Sequence, residues 1–357
     1  MQSKTILILA GGTGGHVFPG LAVADDLCRQ GHRIAWLGTQ HGLDAKLVPD
    51  TNIPFYQLAI RGVRGKGKFS MLLASVKIVK ALYHSLKIIY KIKPDVVLGM
   101  GGYVSGPAGI ASWLLRIPLV IHEQNAIAGK TNVILSRFAS KVLQAFPDTF
   151  AARTKAQWVG NPLRNRICTL ARGQGNDPQA AMKILVFGGS QGAQVINQIV
   201  PQAMARIMQT RSIEVWHQSG ARQFAEVKQG YQSLHTAAKV VDFIEDMASA
   251  YAWADLVICR AGALSVCELA AAKVASILIP FAQAVDDHQT ANAQCLVAAQ
   301  AARIIQESDL TVAKLVEIID ELRDNRQLLS TMAENAHRVA KLDATQRVAA
   351  ICLEIAK

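Results

Sequence analysis

Hydrophobic positions in this chain come in short unbroken runs, each followed by glycines and then by a segment of helical period. The opening stretch, TILILAGGTGGHVFPG at residues 5–20, sets the pattern. Its Ile/Leu run has the length and flanks of a buried parallel strand. Gly11, Gly12, Gly14 and Gly15 allow a sharp turn and a close backbone approach to a ligand, and LAVADDLCRQ (21–30) predicts a helix. HRIAWLG (32–38) and PFYQLAI (54–60) predict the next strands, with a short helix at HGLDAKLV and a basic loop, RGVRGKGK, at 61–68. KPDVVLGMGGYVSGPAGIAS (93–112) and IPLVIHEQNAIAG (117–129) repeat strand, Gly turn and helix. KVLQAF (141–146) and QWVGNPLR (157–164) complete the half.

Residues 165–181 break all periodicity, which predicts a domain boundary near 161–180. The chain then begins again. MKILVFGGSQGAQ (182–194) lies over TILILAGGTGGHV (5–17) at an offset of 177, matching Gly11 to Gly188, Gly12 to Gly189, Thr13 to Ser190 and Gly15 to Gly192. ADLVICRAG (254–262) lies over PDVVLGMGG (94–102) at an offset of 160, matching Asp95 to Asp255 and Gly102 to Gly262. Two echoes in the same order predict an α/β fold of two Rossmann-like domains. His16 faces Ala193 in this alignment, so the halves share a scaffold and differ in chemistry. SIEVWHQSG (212–220) predicts a strand into a turn, and 239–281 alternate strand and helix. AVDDHQTANAQ (284–294) opens a further helix, and from Thr311 the pattern is helical around a break at LDATQ (342–346).

One segment has two faces. From Phe69 to Tyr90 an apolar stripe (Leu72, Val76, Val79, Tyr83, Leu86, Tyr90) runs beside a basic stripe (Lys77, Lys80, His84, Lys87, Lys91). Such a helix either turns its apolar stripe to the core or rests in a membrane interface. Charge adds weight to the second reading. Residues 1–162 carry 19 Lys+Arg against 7 Asp+Glu, whereas 163–357 carry 19 against 19, so the net +12 belongs to the first half. An anionic surface is the expected partner. Nucleic acid is not, because no interleaving of aromatic and basic residues appears. No apolar run approaches the roughly 20 residues of a spanning helix. The six cysteines form no CxxC pair, which suits a reducing compartment.

Four Gly loops at strand ends, two per domain, predict a phosphate-bearing ligand. No GxxxxGK[ST] is present, and no acid closes a second strand, so neither a P-loop NTPase nor a dehydrogenase is expected. His16, in the opening turn, either caps the loop or acts as a general base, since a helix N-terminus favours its neutral ring. Glu123 and Asn125 either cap a strand-end loop or touch ligand. Glu268 is either a carboxylate favoured by a helix dipole or the acceptor of two ribose hydroxyls. Arg164 is solvated or pairs with phosphate. No cluster suggests a metal.

The set GGTGGHVFPGLAVA, VVLGMGGYVSGP, HEQNAIAG, VGNPLR, GGSQGA, RAGALSVCELA and DDHQTANA resembles the MurG family of bacterial glycosyltransferases from residue 5 to about 350. These enzymes add N-acetylglucosamine to undecaprenyl-diphosphate-linked muramoyl-pentapeptide (lipid I), giving lipid II. The resemblance implies a GT-B fold. It would comprise an acceptor- and membrane-facing domain over 1–163, a UDP-sugar domain over 164–340, and a helix over 341–357 crossing back. It implies inverting transfer from UDP-N-acetylglucosamine, with no metal or cofactor, by a peripheral protein on the cytoplasmic face of the inner membrane. On matching positions the donor contacts would be Thr13, Gly14, Gly15, Asn125, Arg164, Ser190, Ile244, Ala263, Leu264, Ser265, Val266, Cys267, Glu268 and Gln289. Glu268 would hold the ribose and the Ile244 backbone the uracil. His16 would be the leading candidate for the base, with Glu123 and Tyr103 as helpers. Lys77, Lys80, Lys87 and Lys91 would meet the anionic membrane. The chain departs from the family at Ala261, where Ser is usual, and at Lys273 and Ala275, where Gly and Pro are usual. A diacylglycerol sugar transferase, a UDP-N-acetylglucosamine 2-epimerase and a non-catalytic lipid-binding subunit are the rivals.

Overall fold

The computed structural model describes residues 2–59, 68–170, 180–189, 192–282 and 287–357, with side chains from residue 76 onward in the helix that begins at Lys68. The chain forms two compact units. Unit 1 is Met1–Arg164 with Lys341–Lys357, and unit 2 is Asn165–Ala340.

Unit 1 holds strands β1 (Thr5–Ala10), β2 (Arg33–Thr39), β3 (Phe55–Leu58), β4 (Val96–Gly101), β5 (Leu119–Glu123), β6 (Lys141–Gln144) and β7 (Gln157–Trp158). They make one sheet in the order β3-β2-β1-β4-β5-β6-β7, with every pairing parallel. Unit 2 holds β8 (Met182–Phe187), β9 (Ile213–Gln218), β10 (Lys239–Val241), β11 (Leu256–Cys259), β12 (Ala275–Leu278) and β13 (Ala302–Ile304). Its order is β10-β9-β8-β11-β12-β13, again all parallel. A parallel sheet is covered on both faces, so its central strands must be apolar on both. Accordingly Ile6, Leu7, Ile8, Leu9 and Ala10 are all fully buried. Strand order reverses between β1 and β4 and between β8 and β11, the switch points where open α/β sheets bind ligands.

The matched aspartates do the same job in both units. Asp95 accepts from the Thr5 N–H at 2.7 Å while its own N–H donates to the Thr5 carbonyl. Asp255 does this with Lys183 at 2.8 Å in each direction. Each pins the start of a central strand to its neighbour.

The copies part after the first Gly pair. Gly12 and Gly189 share the left-handed turn, with φ of 93° and 88°. In unit 1 that turn is finished by Thr13, an extended N-cap, and the helix starts at Gly14. It therefore begins seven residues before the segment that the apolar pattern predicts, because Gly12 alone supplies the reversal. In unit 2 Gly192 keeps a positive φ of 77° and the helix waits until Gln194, with Ala193 as its extended N-cap. His16 thus sits inside a first helical turn, and Ala193 does not.

The helix Lys68–Ile92 packs against Ser105–Leu114. Ala81, Ser85 and Ile89, spaced by four, are buried. Of the larger residues in the predicted apolar stripe, Val76, Val79, Tyr83 and Tyr90 are 59–70% exposed. Only Leu86 of the described stripe packs on the core. The contact uses small residues on both sides, including Ala108, Ala111 and Ser112. The pattern of large apolar residues consequently marks the outer face. The predicted basic loop at 61–68 lies outside the described residues except for Lys68, where the helix starts. Strand β13, three residues long, has no period to read.

Candidate active site

The C-terminal edge of the unit 1 sheet is organised by one buried carboxylate. Asp44 is fully buried. Its Oδ1 accepts from the Gly12 N–H at 2.9 Å and from Thr39 Oγ1 at 2.9 Å, and Oδ2 accepts from the Thr39 N–H. The Leu43 N–H donates to the Gly12 carbonyl at 3.0 Å. The opening Gly turn is therefore held from both sides by the segment after β2. Space is tight enough to require glycine: a Cβ on Gly38 or Gly42 would meet the Asp44 carboxylate at 2.3 or 2.1 Å. Asp44 carries no signal in the sequence, since the turn that it holds lies 32 residues away.

His16 projects from this turn at the switch point. Across from it β4 slips register between Leu9 and Ala10, where Ala10 pairs with Gly101 and Met100 is passed over. Gly101 takes a φ of 111°, and Ser105 Oγ ties the irregular strand end by donating to the Gly101 carbonyl at 2.8 Å. A Cβ on Gly101 would lie 2.8 Å from both Cε1 and Nδ1 of His16. The imidazole is thus laid on the Gly101 backbone. Its Nδ1 is 2.8 Å from Gln124 Oε1. Gln124 in turn faces His122, whose burial lowers its pKa to about 4.

The HEQN cluster divides its labour. Glu123 is 2% exposed. Oε1 accepts from the N–H and the Nδ2 of Asn125 at 3.1 Å each, and Oε2 accepts from the Gly129 N–H at 3.0 Å and Asn132 Nδ2 at 2.8 Å. These four bonds shape the loop after β5, so of the two readings of Glu123 and Asn125 the loop-capping one is present in the geometry. Tyr103 is 53% exposed beside the same edge. The side chain of Thr13 makes no cap bond, and the Arg164 guanidinium stacks over the Phe18 ring at 5.2 Å.

In unit 2 the turn after β8 is bridged by Gln218. Its Nε2 donates to the Gly189 carbonyl at 3.1 Å and its Oε1 accepts from the Ile244 N–H at 2.8 Å. The helix Ala263–Ala271 starts at the switch point with Gly262 as N-cap, so its first N–H groups are aimed out of the sheet edge. Leu264, Ser265 and Cys267 are half-buried on it, whereas Ala263 and Val266 are buried. Glu268 is 4% exposed and accepts from Tyr251 OH at 3.1 Å. Gln289 Oε1 accepts from the Phe281 N–H at 3.0 Å. Arg260, which sequence reasoning passed over, is buried. It donates to the carbonyls of Ile279 and Pro280, pairs with Glu307 and stacks on Phe281. Ser190 lies outside the described residues. At the end of this helix Lys273 sits at φ 56°, and the N–H groups of Lys273 and Val274 return to Ala270 and Leu269. That is a Schellman stop, for which glycine is the favoured residue. Among the described residues no three His, Cys, Asp or Glu side chains gather as metal ligands. Among them too, no helix is long and apolar enough to cross a membrane.

Comparison with known proteins agrees with this arrangement. Residues 6–144 match the Glycosyltransferase family 28 N-terminal domain and residues 183–348 its C-terminal domain. A Nitrosococcus oceani protein is 48% identical over 353 residues, covering 98% of each chain. A Coxiella burnetii protein is 48% identical over 349 residues, covering 97% of each. Both are named UDP-N-acetylglucosamine–N-acetylmuramyl-(pentapeptide) pyrophosphoryl-undecaprenol N-acetylglucosamine transferase. The crystal structure of Acinetobacter baumannii MurG superposes with a TM-score of 0.84 at 42% identity, covering 98% of this chain and 99% of that one. A Neisseria meningitidis UDP-GlcNAc 2-epimerase structure shares the fold, with a TM-score of 0.66 at 12% identity over 98% of this chain and 100% of that one.

Proposed function

The chain belongs to glycosyltransferase family 28, and from that premise we propose that it moves N-acetylglucosamine from UDP-N-acetylglucosamine to the 4-hydroxyl of the muramoyl unit of lipid I. Its relatives across the whole length carry that name. The observation that carries the reading on this chain is the placement of His16. It is an imidazole in the first turn of a helix at a switch point, laid on Gly101, and the equivalent place in unit 2 is Ala193.

The reaction is a single displacement. His16 takes the proton of the acceptor hydroxyl as its oxygen attacks the anomeric carbon. The bond from that carbon to the diphosphate breaks, and UDP leaves with inversion. Unit 1 takes the acceptor, with its Gly loops at 11–15 and 99–106 toward the lipid diphosphate. Unit 2 grips the nucleotide through the turn at 188–192, the helix start at Ala263–Cys267, Glu268 on the ribose, the Ile244 backbone on uracil, and Gln289. Thr13, Gly14, Gly15, Asn125 and Arg164 complete the donor contacts. Backbone N–H groups and Arg164 stabilise the leaving diphosphate in place of a metal. Glu123 serves by holding the loop that carries Asn125, and Tyr103, half exposed at the same sheet edge, is the second helper.

The protein works at the cytoplasmic face of the inner membrane. Supporting this, Lys77, Lys80, Lys87 and Lys91 are exposed beside Val76, Val79, Tyr83 and Tyr90, with Trp113 and Leu114 half exposed on the neighbouring helix. Exposed apolar groups rimmed by lysine fit an anionic lipid surface. The direct test is UDP release from UDP-N-acetylglucosamine with lipid I, with diacylglycerol and with no acceptor. Release only with lipid I is expected. Release without acceptor would indicate an epimerase or hydrolase, and diacylglycerol glycosylation would indicate the other transferase. Charge reversal at the four lysines is expected to abolish sedimentation with anionic vesicles, and unchanged sedimentation would remove the membrane assignment.

A further inference from the structure

A file of hydrogen bonds within unit 1 ends on His16, and its polarity is readable from the far end. The Gly160 carbonyl can only accept. His122 Nε2 lies 2.9 Å from it and therefore carries a hydrogen. His122 is fully buried, and burial keeps the ring neutral at physiological pH. A neutral imidazole has one N–H, so Nδ1 of His122 is a lone pair.

The Gln124 side chain, 1% exposed, meets that lone pair. Its Nε2 lies 3.1 Å from His122 Nδ1 and 3.1 Å from the His122 carbonyl oxygen. Both are acceptors, so the amide must present its NH2 there and its oxygen at the other end. Oε1 is 2.8 Å from His16 Nδ1. An amide oxygen cannot donate, so Nδ1 of His16 does. The Gly101 backbone closes one face of the ring. With Nδ1–H committed, Nε2 is the nitrogen left to take a proton. An unrestrained histidine side chain favours the opposite tautomer.

We propose that Gln124, itself oriented by His122, is a positioning residue that locks the His16 proton on Nδ1 and leaves Nε2 bare for the acceptor hydroxyl. The proposal rests on the assignment of His16 as the base, and it adds the device that makes the ring a base in one direction. Which ring nitrogen is bare is set by what the other one binds. A base within reach but in the wrong tautomer forfeits most of its effect.

The test is the tautomer itself. The full chain, labelled with 15N only in histidine, is examined by long-range proton–nitrogen correlation, with His16 assigned by the signals lost in His16→Gln. A protonated Nδ1 and bare Nε2 are expected for His16. Gln124→Leu is expected to shift His16 toward the Nε2–H form and to lower kcat by about tenfold to a hundredfold, with UDP affinity unchanged. Gln124→Glu, which burial keeps protonated, presents its O–H to His122 Nδ1 and its carbonyl oxygen to His16 Nδ1, and is expected to retain the tautomer and recover most of the rate. A mere packing role would rank Glu below Leu. A wild-type His16 protonated on Nε2, a tautomer indifferent to Gln124→Leu, or Leu outperforming Glu would each overturn the proposal. If the tautomer responds as expected while His16→Gln keeps near-full turnover, the base assignment fails and the lock stands.

Discussion

Gly101 is the place where the strand irregularity under His16 can be tested by a single methyl group. Alanine there has two costs. The backbone must hold φ at 111°, outside the range that L side chains favour, at about 1 to 3 kcal/mol. The new Cβ would also sit 2.8 Å from two atoms of the His16 ring, where carbon contacts are comfortable near 3.5 to 4.0 Å. The ring must retreat by roughly 0.7 to 1.2 Å, which misaligns its bond to Gln124. A misplacement of about 1 Å costs on the order of a hundredfold in rate, equivalent to about 2.7 kcal/mol of barrier. Gly31→Ala supplies the control, because Gly31 has a φ of 86° and open space where its Cβ would go. Both variants are measured for thermal stability, UDP binding by calorimetry, and transfer to lipid I with kcat and KM separated. Both are expected to lose stability, and only Gly101→Ala to lose kcat, with UDP binding unchanged in each. Equal kcat values for the two variants, or a loss confined to the KM for the sugar nucleotide, would refute the contact between Gly101 and the catalytic ring.

Three further outcomes follow from the packing. Asp44→Ala leaves the Gly12 N–H, the Thr39 N–H and the Thr39 hydroxyl without their buried acceptor, which at about 1 to 3 kcal/mol per orphaned group predicts a loss of at least about 3 kcal/mol in denaturant unfolding of unit 1. Burial lowers the pKa of His217 to about 3, so as pH falls below about 6.5 the unfolded chain takes up a proton that the folded one refuses. Unit 2 should then lose stability with a slope that rises from about 0.7 kcal/mol per pH unit near 6.5 to about 1.4 near 5; His217→Gln should flatten that slope, and an unaltered slope would contradict the buried neutral ring. Lys273→Gly relieves a left-handed lysine in a Schellman stop, worth about 1 kcal/mol, but gives up its partly exposed ion pair with Glu334, an offset of at most similar size. Glu334→Gln, which removes the pair alone, should therefore lower the midpoint of thermal unfolding, and Lys273→Gly should lie above Glu334→Gln.

Much of the site was legible because its signals are local. Gly12 and Gly189 announce the same turn at matched positions, and their φ values differ by only 5°. His16 was conspicuous as the ionisable side chain in that turn. Asp95 and Asp255 appeared as an echo, and the structure gives the echo a purpose. What stayed hidden acts across distance. Asp44 reaches a backbone N–H 32 residues away, and Gln218 ties two loops 29 and 26 residues from itself. Within HEQN the charged Glu123 and the amide Asn125 carry the visible signal, whereas Gln124 between them meets the histidine. On the helix Lys68–Ile92 the sequence leaves both readings of the apolar stripe open, because side-chain size does not choose between them. Close packing selects Ala81 and Ser85, which register weakly as hydrophobic, and leaves Val79 and Tyr83 outside.

The segment Lys341–Lys357 belongs to unit 1, and its helix Ala344–Ile355 places Val348, Ala349 and Cys352 in the same core as Ile6, Ile8 and Trp36. Its Thr345 exchanges hydrogen bonds with both backbone groups of Leu163. On the ribosome this reverses the usual schedule, in which the N-terminal domain finishes first. Unit 2 is one continuous stretch and has all of its core residues once Ala340 has emerged. Unit 1 must wait, with the face beside β1 and β4 uncovered, until translation reaches the last helix. The half of the protein made first is therefore the half completed last.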